Sequence, residues 1–221
     1  MNCFAHALPF LDDAYMAVGA CIPDWLSALD RKCRAREKRA TPFMGDEDPI
    51  ISSLARGVVQ HHQDDFWFHQ TSAFTDLNMQ FAMEVRERLN GESGFRPGLF
   101  GHVVIELMLD GYLQETFPGS LERFYDQVES VDSAQVQSVV NRFMAKQTDG
   151  LVRFIDKFKK ARYIFDYVEN DRLMYRVNRV LERVKLAPFE NELDDWLPTA
   201  RKLVYQRASQ LLEKYTLKLS V

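Results

Sequence analysis

The chain has 221 residues and a formal net charge of −4 at pH 7, with 46% hydrophobic and 27% charged residues. This composition supplies a core, and it argues against disorder and against nucleic-acid binding through bulk positive charge. No apolar run reaches the roughly 18 residues of a membrane helix, and Asp12 and Asp13 occupy the place of a basic signal-peptide region. Cys3, Cys21 and Cys33 show no paired spacing, so we expect no disulfide framework. We expect a cytoplasmic protein with neither nucleic acid nor membrane as partner.

Apolar residues recur at helical intervals along most of the chain, which predicts an all-α fold of about seven to nine helices. Loops are predicted at 41–49, 90–98, 118–119 and 187–195. Helices are predicted at 136–143, 151–158 and 163–184, and after Pro198 over about 200–219. Ser120 and Ser133 are predicted N-caps. With no repeat and no long linker, residues 1–221 are interpreted as one domain.

The segment "GVVQHHQDDFWFHQTSAFTD" places His61, Asp65 and His69 at positions i, i+4 and i+8. On a helix these side chains would form one stripe, because residues four apart are neighbours. The alternative is a solvated polar face made of His61, His62, Asp64 and Asp65. This stripe supports a metal site only in combination with a second stripe.

The segment "GHVVIELMLDGYL" repeats the spacing with His102, Glu106 and Asp110. A helix this apolar should be buried on most sides, where carboxylates are costly unless they are paired or bind a metal. Buried pairs with arginines are one explanation, but two such stripes favour a metal. Imidazole and carboxylate ligands suit Mn, Fe, Zn or Co, and the absence of Cys-x-x-Cys excludes the common structural zinc site.

Two further candidate ligands lie near the beginning of the sequence. His6 follows an apolar run, and Asp24 interrupts the segment "VGACIPDWL". Asp24 could equally be the N-cap of a helix that starts at Trp25. Asp76, in the segment "FTD", is predicted to lie outside the site.

Four segments, "MNCFAHAL", "GACIPDW", "GVVQHHQDD" and "ELMLDGYL", together resemble the acyl carrier protein phosphodiesterase family. The matching positions, in order, are Met1, Asn2, Ala5, His6, Gly19, Asp24, Gly57, His61, Asp65, Glu106 and Asp110. The sequence departs from the family pattern at three positions. His69 and Glu106 each stand where the family has Asp, and Gly111 stands where it has His. His102 has no counterpart in the family pattern.

This resemblance implies an HD-domain-like helical bundle, with the metal-bearing helices in residues 1–118 and a helical second half in 119–221. It also implies metal-dependent release of 4′-phosphopantetheine from holo-acyl carrier protein. Mn²⁺ is the expected metal, with Fe or Zn as alternatives because the site has lost a negative charge. The residues assigned to metal binding are His6, Asp24, His61, Asp65, His69, Glu106 and Asp110. His102 or His62 would act in catalysis, by orienting water or phosphate or by protonating the leaving oxygen.

One segment, "RKCRAREKR", is densely basic. It could be a solvated helix face, or it could dock an acidic partner such as acyl carrier protein. Its six cationic residues are Arg31, Lys32, Arg34, Arg36, Lys38 and Arg39.

Two other functions stay open at this stage. One is an HD-like phosphohydrolase that acts on a nucleotide or a small phosphate ester. The other is a catalytically inactive helical binding module that retains the fold, which Gly111 favours.

Overall fold

The computed structural model describes residues 1–89, 96–189 and 191–214. In these ranges the chain forms helices and no strand, with one isolated antiparallel bridge between Ala35 and Met144. The predicted all-α class is therefore confirmed. Among the described residues, nine helices have ten residues or more, which is the upper end of the predicted number. The HD-domain-like arrangement stays a prediction.

The helices fall into long elements and a few short ones. The long helices are α2 (Ala14–Leu29), α4 (Pro49–Phe68), α5 (Ser72–Arg88), α6 (Pro97–Thr116), α7 (Ser120–Ser130), α8 (Ser133–Arg142), α9 (Leu151–Ala161), α10 (Asn170–Arg183) and α11 (Leu197–Gln206). The short ones are α1 (Cys3–Ala7), α3 (Glu37–Ala40), α12 (Ala208–Leu211) and the 3₁₀ helices Leu8–Phe10, Thr41–Phe43 and Tyr163–Val168. No helix in the described ranges is long and apolar enough to cross a membrane.

The described residues divide into two compact units, each built from two separate stretches of chain. The first unit comprises Met1–Phe66 and Pro118–Tyr163. In it, α7 and α9 pack against α2, and α7 also contacts α1. Large buried rings fill this core, with the centroids of Trp25 and Phe158 4.8 Å apart. Helices from late in the chain thus support the helix that positions part of the candidate site.

Two glycines bring the backbones of α2 and α4 together within the first unit. A Cβ on Gly57 would overlap the carbonyl oxygen of Met16 and would lie 2.6 Å from the backbone nitrogen of Ala20. A Cβ on Gly19 would lie 2.6 Å from the carbonyl oxygen of Leu54. Neither position has room for a side chain, so the close approach of the two helices depends on both glycines.

The second unit comprises Trp67–Phe117 and the described residues from Ile164 onward. Its centre is α6, against which α5, α10 and α11 pack. The ring of Trp196 lies 5.0 Å from that of Phe81 and 5.7 Å from that of Phe100, centroid to centroid. As expected, α6 buries residues on most of its sides, including the fully buried Asp110.

The predicted helix over 163–184 is interrupted. Arg162 ends α9 in the left-handed conformation at φ 42°, Tyr163–Val168 is a 3₁₀ helix, and α10 begins only at Asn170. The apolar periodicity continues across this break because Ile164, Tyr167 and Leu173 are all buried. Apolar periodicity alone therefore does not distinguish one continuous helix from two successive helical segments that each bury one face.

The predicted N-caps are also wrong. Ser120 and Ser133 are the first residues of α7 and α8, and the side chain of Asp132 caps α8 by accepting the backbone N–H of Ala134 at 2.8 Å. A helix start at Trp25 is excluded, because Asp13 caps α2 and the helix runs through Pro23.

The predicted loops lie between helices wherever they are described, although Thr41–Phe43 is a 3₁₀ helix and α6 begins at Pro97. In the region predicted as a helix over 200–219, α11 and α12 are separate. Residues 90–95 and 190, which belong to two predicted loops, and residues 215–219, which belong to the last predicted helix, lie outside the described residues.

Candidate metal centres

Two groups of histidine and carboxylate side chains in the described ranges could each hold a metal ion, one in each unit. The His6 group consists of His6, His61 and Asp65, and the His69 group of His69, His102 and Glu106. In each group, one ligand atom from every residue lies within 4.8 Å of the others. Both groups have the same chemical composition, two imidazoles and one carboxylate.

The His6 group joins α1 to α4 in the interior of the first unit. His6 is fully buried and His61 is 3% exposed, and their ring centroids lie 4.0 Å apart. Nε2 of His6 lies 3.1 Å from Oδ1 of Asp65, and Nε2 of His61 lies 3.4 Å from Oδ2 of the same carboxylate. The amino group of Met1 contacts Oδ1 of Asp65 at 2.7 Å. Three nitrogen atoms, from His6, His61 and Met1, therefore lie around the Asp65 carboxylate.

The orientation of the His61 ring is fixed by the backbone of α2. Nδ1 of His61 donates a hydrogen bond of 2.8 Å to the carbonyl oxygen of Ala20. Because a carbonyl oxygen only accepts, Nδ1 carries a proton, and Nε2, which faces Asp65, is the nitrogen left to donate to that carboxylate or to coordinate a metal ion. Metal-binding histidines commonly have such a partner on the second ring nitrogen. His61 therefore has the arrangement of a ligand.

Electrostatics keep Asp65 ionised. Burial on its own would raise the pKa of Asp65, but the amino group of Met1 and hydrogen bonds from His6 and His61 outweigh it, so the pKa lies far below its ordinary value. His6 adds an unusual feature, because its Nδ1 is buried without a hydrogen-bond partner. The nearest ion-pair contact of that atom is Oδ2 of Asp64, at 3.7 Å. A ring nitrogen left without a hydrogen-bond partner in this way is compatible with ligand binding.

The His69 group is formed where the turn after α4 meets α6. His69 lies just past the last residue of α4, so it does not share that helix with His61 and Asp65. Its Nε2 lies 3.1 Å from Oε1 of Glu106, and Nε2 of His102 lies 3.0 Å from the same oxygen. His102 and Glu106 are one turn apart on α6, as their spacing predicts.

These distances fit a metal ion as well as a pair of hydrogen bonds. Ligand atoms that surround an ion at about 2.0–2.2 Å are themselves about 3.0–3.5 Å apart. The nitrogen-to-oxygen distances in the His69 group fall within that range. The side chains of His69 and His102 are 30% and 35% exposed, and that of Glu106 is 16% exposed. Solvent or a ligand can therefore reach this group.

Glu106 carries a stable negative charge. Burial would raise its pKa, but hydrogen bonds from His102 and His69 help to hold the pKa well below the ordinary value. Phe74, the third residue of α5, stands edge-on to both imidazoles, with centroids 4.9 Å from His69 and 5.2 Å from His102. This ring forms an apolar wall that holds the two imidazoles in place.

Three other predicted site residues belong to neither group. Asp24 lies within α2 and Asp110 is buried in α6, one turn after Glu106. His62 is bonded elsewhere, with Nε2 2.8 Å from the carbonyl oxygen of Ala35. Burial lowers the pKa of His62, so this imidazole is neutral at pH 7 and donates to that carbonyl.

Gly111, where the resembled family has His, leaves little space for a larger residue. A Cβ at this position would lie 3.0 Å from the carbonyl oxygen of Tyr167 and 3.4 Å from Nη1 of Arg201. Any additional imidazole near Asp110 must come from another part of the chain.

Sequence reasoning did not identify Phe74, the Ala20 carbonyl or the contact of Asp64 with His6 as parts of these groups. A signal existed only for Asp64, which is three residues after His61 and therefore close to it on a helix. The other two are tertiary contacts without a pattern in the chain.

Comparisons of the chain with protein-family models, with curated proteins and with solved structures find no match in any of the three. The side chains of this protein are therefore the basis on which its function is inferred.

Proposed function

We propose that the protein is a metal-dependent phosphodiester hydrolase of the acyl carrier protein phosphodiesterase type. The observation that supports this most directly is the His69 group, in which two imidazole nitrogens and a carboxylate oxygen converge at a partly exposed position. A divalent ion bound by such ligands lowers the pKa of a bound water and polarises phosphoryl oxygens. Mn²⁺ is the proposed metal, with Fe and Zn as alternatives.

The three residues of the His69 group would have different roles in metal binding. Glu106 supplies the fixed negative charge, and His69 and His102 supply neutral nitrogen ligands. This assigns His102 to metal binding rather than to catalysis, because its Nε2 shares the Glu106 oxygen with His69. In the other unit, the His6 group offers a second, more deeply buried set of ligands. Asp24 and Asp110 stay predicted ligands.

The proposal is tested first by metal content. We expect protein purified without chelator and without a nickel column to contain one or two equivalents of Mn, Fe or Zn by mass spectrometry. If it contains no metal and takes up no added Mn²⁺, the proposal is wrong and the protein is better regarded as a helical binding module.

The substrate is tested next with a panel of phosphoesters. We expect the metal-loaded protein to release 4′-phosphopantetheine from holo-acyl carrier protein faster than it hydrolyses mononucleotides or cyclic dinucleotides. Preference for a nucleotide would instead support the HD-like phosphohydrolase that acts on small phosphate esters. Bound metal without any hydrolysis would indicate an inactive member that retains the fold.

The basic segment, residues 31–39, would supply the docking surface for an acidic carrier protein. Only Glu37–Ala40 of this region is helical, so most of the segment lies outside a helix. All six of its cationic side chains are exposed, and within the described residues none forms an ion pair with a carboxylate. A cluster of uncompensated positive charge on a protein of net charge −4 would attract an acidic partner.

Charge reversal separates docking from chemistry. We expect Arg34→Glu combined with Lys38→Glu to raise the Michaelis constant for holo-acyl carrier protein about tenfold, because electrostatic steering is lost. The same variant should hydrolyse bis(p-nitrophenyl) phosphate with unchanged constants. Lys157→Glu with Lys160→Glu, on the exposed side of α9, is the matched control. Equal effects on both substrates, or equal effects of both variants, would contradict the docking role.

A further inference from the structure

A polar groove in the second unit lies where the turn between α4 and α5 meets α12. Its volume is about 420 Å³, which is within the range of roughly 300–1,000 Å³ that small-molecule sites have. Trp67 and Glu213 contribute to its lining together with side chains that end in an amide or a hydroxyl, among them Gln70, Thr71 and Gln210. All of these residues belong to the second unit. The groove is therefore large enough for a small organic ligand.

Two local features form the walls of this groove. In the turn, the backbone N–H of Gln70 donates to the carbonyl oxygen of Trp67 at 3.0 Å, and the side chain of Thr71 caps α5. On the other wall, α12 packs against α5 and buries Leu211 completely, which leaves Gln210 exposed. The polar lining therefore follows from a capped turn and from the amphipathic pattern of α12.

The charges around the groove favour a cation over an anion. Among the described residues that line it, Glu213 carries the only charge. Arg207 donates from Nε to Oε1 of Gln210 at 3.1 Å, but its guanidinium is also paired with Asp76, which lies 3.1 Å from Nη2. The positive charge of Arg207 is thus compensated. An anion in the groove would be repelled by the Glu213 carboxylate, whereas a cation would be attracted.

Trp67 provides an aromatic face for a cation, and one cation of the chain already lies on it. Nζ of Lys214 lies over the Trp67 ring, 5.5 Å from the ring centroid. Among aromatic side chains, tryptophan attracts an ammonium group most strongly, because the face of its π-system is negative. Trp67 is partly exposed, whereas Trp25 and Trp196 are buried. A dissolved cation can therefore reach the Trp67 ring.

We propose that this groove binds an organic ammonium ion, with the Trp67 ring against the cation and Glu213 as the counter-charge. Lys214 competes with this ligand, because its own ammonium group lies at the same ring. The site shares no residue with the two metal groups and requires no metal, so it goes beyond the hydrolytic function proposed above. The ligand is either an alkylammonium, whose N–H groups also bind the amide and hydroxyl oxygens, or a quaternary ammonium, which needs only the ring and the charge.

The experiment is a titration of the ¹⁵N-labelled full-length protein, freed of metal on a chelating resin, at constant ionic strength. Butylamine hydrochloride and tetramethylammonium chloride are the two probes, and sodium chloride is the salt control. The NMR signals of the Trp67 indole and of the backbone amides of Ser209 and Gln210 report binding. We expect saturable shifts at millimolar ammonium and none with sodium chloride. The tighter of the two probes identifies the ligand as an alkylammonium or a quaternary ammonium.

Substitutions around the groove should change the affinity in opposite directions. Trp67→Leu should weaken binding at least about threefold, because the cation–π contact is lost. Glu213→Gln should also weaken binding, whereas Lys214→Gln should strengthen it by removing the competing charge. Glu87→Gln is the matched control, since it removes the same charge from an exposed position at the other end of α5. It should bind as the wild type does.

The outcomes separate this site from a general attraction of cations to the protein. If Trp67→Leu does not fold, Glu213→Gln and Lys214→Gln still test the assignment, since both positions are exposed and their expected effects have opposite signs. Glucose, titrated in parallel, tests whether the groove instead binds a neutral polyol. Tighter binding of glucose than of either ammonium, equal affinity in wild type and Trp67→Leu, or no saturable shift in wild type would overturn the proposal.

Discussion

Replacement of Gly57 by alanine is expected to destabilise the protein by about 3 kcal/mol or more, the upper end of the cost of overpacking. The new Cβ would overlap the carbonyl oxygen of Met16 and crowd the backbone of Ala20, whereas ordinary contacts begin at 3.4 Å. Both neighbours are backbone atoms within α2, so no side chain can turn away. The gain in helix propensity from glycine to alanine, about 1 kcal/mol, does not offset this clash.

Urea unfolding followed by circular dichroism measures this effect. Gly98→Ala is the matched control, because Gly98 is also in a helix and a Cβ there meets no atom within 4 Å. We expect the control to be neutral or slightly more stable than the wild type. Equal stability of Gly57→Ala and Gly98→Ala would mean that α2 and α4 are not in backbone contact. His61 lies one turn after Gly57, so forced separation of the helices should also weaken its bond to Ala20.

The helical class follows from the sequence because burial of one face imposes its period on the chain, but the breaks within the predicted helices 163–184 and 200–219 do not. The same reasoning misses features that depend on a single residue. The left-handed Arg162 and the cap at Asp132 are local events that leave the apolar pattern unchanged. The contact between Gly19 and Gly57 is a third example: both glycines belong to the segments that resemble the phosphodiesterase family, but only the structure shows why a side chain is excluded there.

The candidate site shows the same division between local and tertiary information. The i, i+4 spacing correctly placed His102 next to Glu106 and His61 next to Asp65, because both pairs lie on one helix. Spacing could not show that His69 lies past the end of α4 and contacts Glu106 instead. The approach of His6 to Asp65 is also a contact between residues 59 positions apart. Contacts of this kind cannot be predicted from the helical period, which relates only residues of the same helix; they are seen only in the folded structure.

Replacement of Glu106 by glutamine is expected to remove the metal from the His69 group while the fold is kept. Glutamine has nearly the same size, so the packing around this partly buried side chain should change little. The charge that both imidazoles share at 3.0 and 3.1 Å is lost. Because residues that merely orient a ligand account for about 10–100-fold in metal affinity, loss of a ligand itself should cost more than about 100-fold.

Competition with a fluorescent metal chelator would measure this affinity for Mn²⁺ and Zn²⁺ separately. Glu115→Gln is the matched control, since it makes the same chemical change further along α6, outside both groups. Asp65→Asn should affect only the ions held by the His6 group, so a protein with two sites loses a different equivalent in each variant. Unchanged metal affinity in Glu106→Gln would contradict the assignment, and His69, His102 and Glu106 would then be a hydrogen-bonded cluster. In that case the hydrogen bonds from His102 and His69 would explain the geometry of the cluster and contribute to the lowered pKa of Glu106 without any ion.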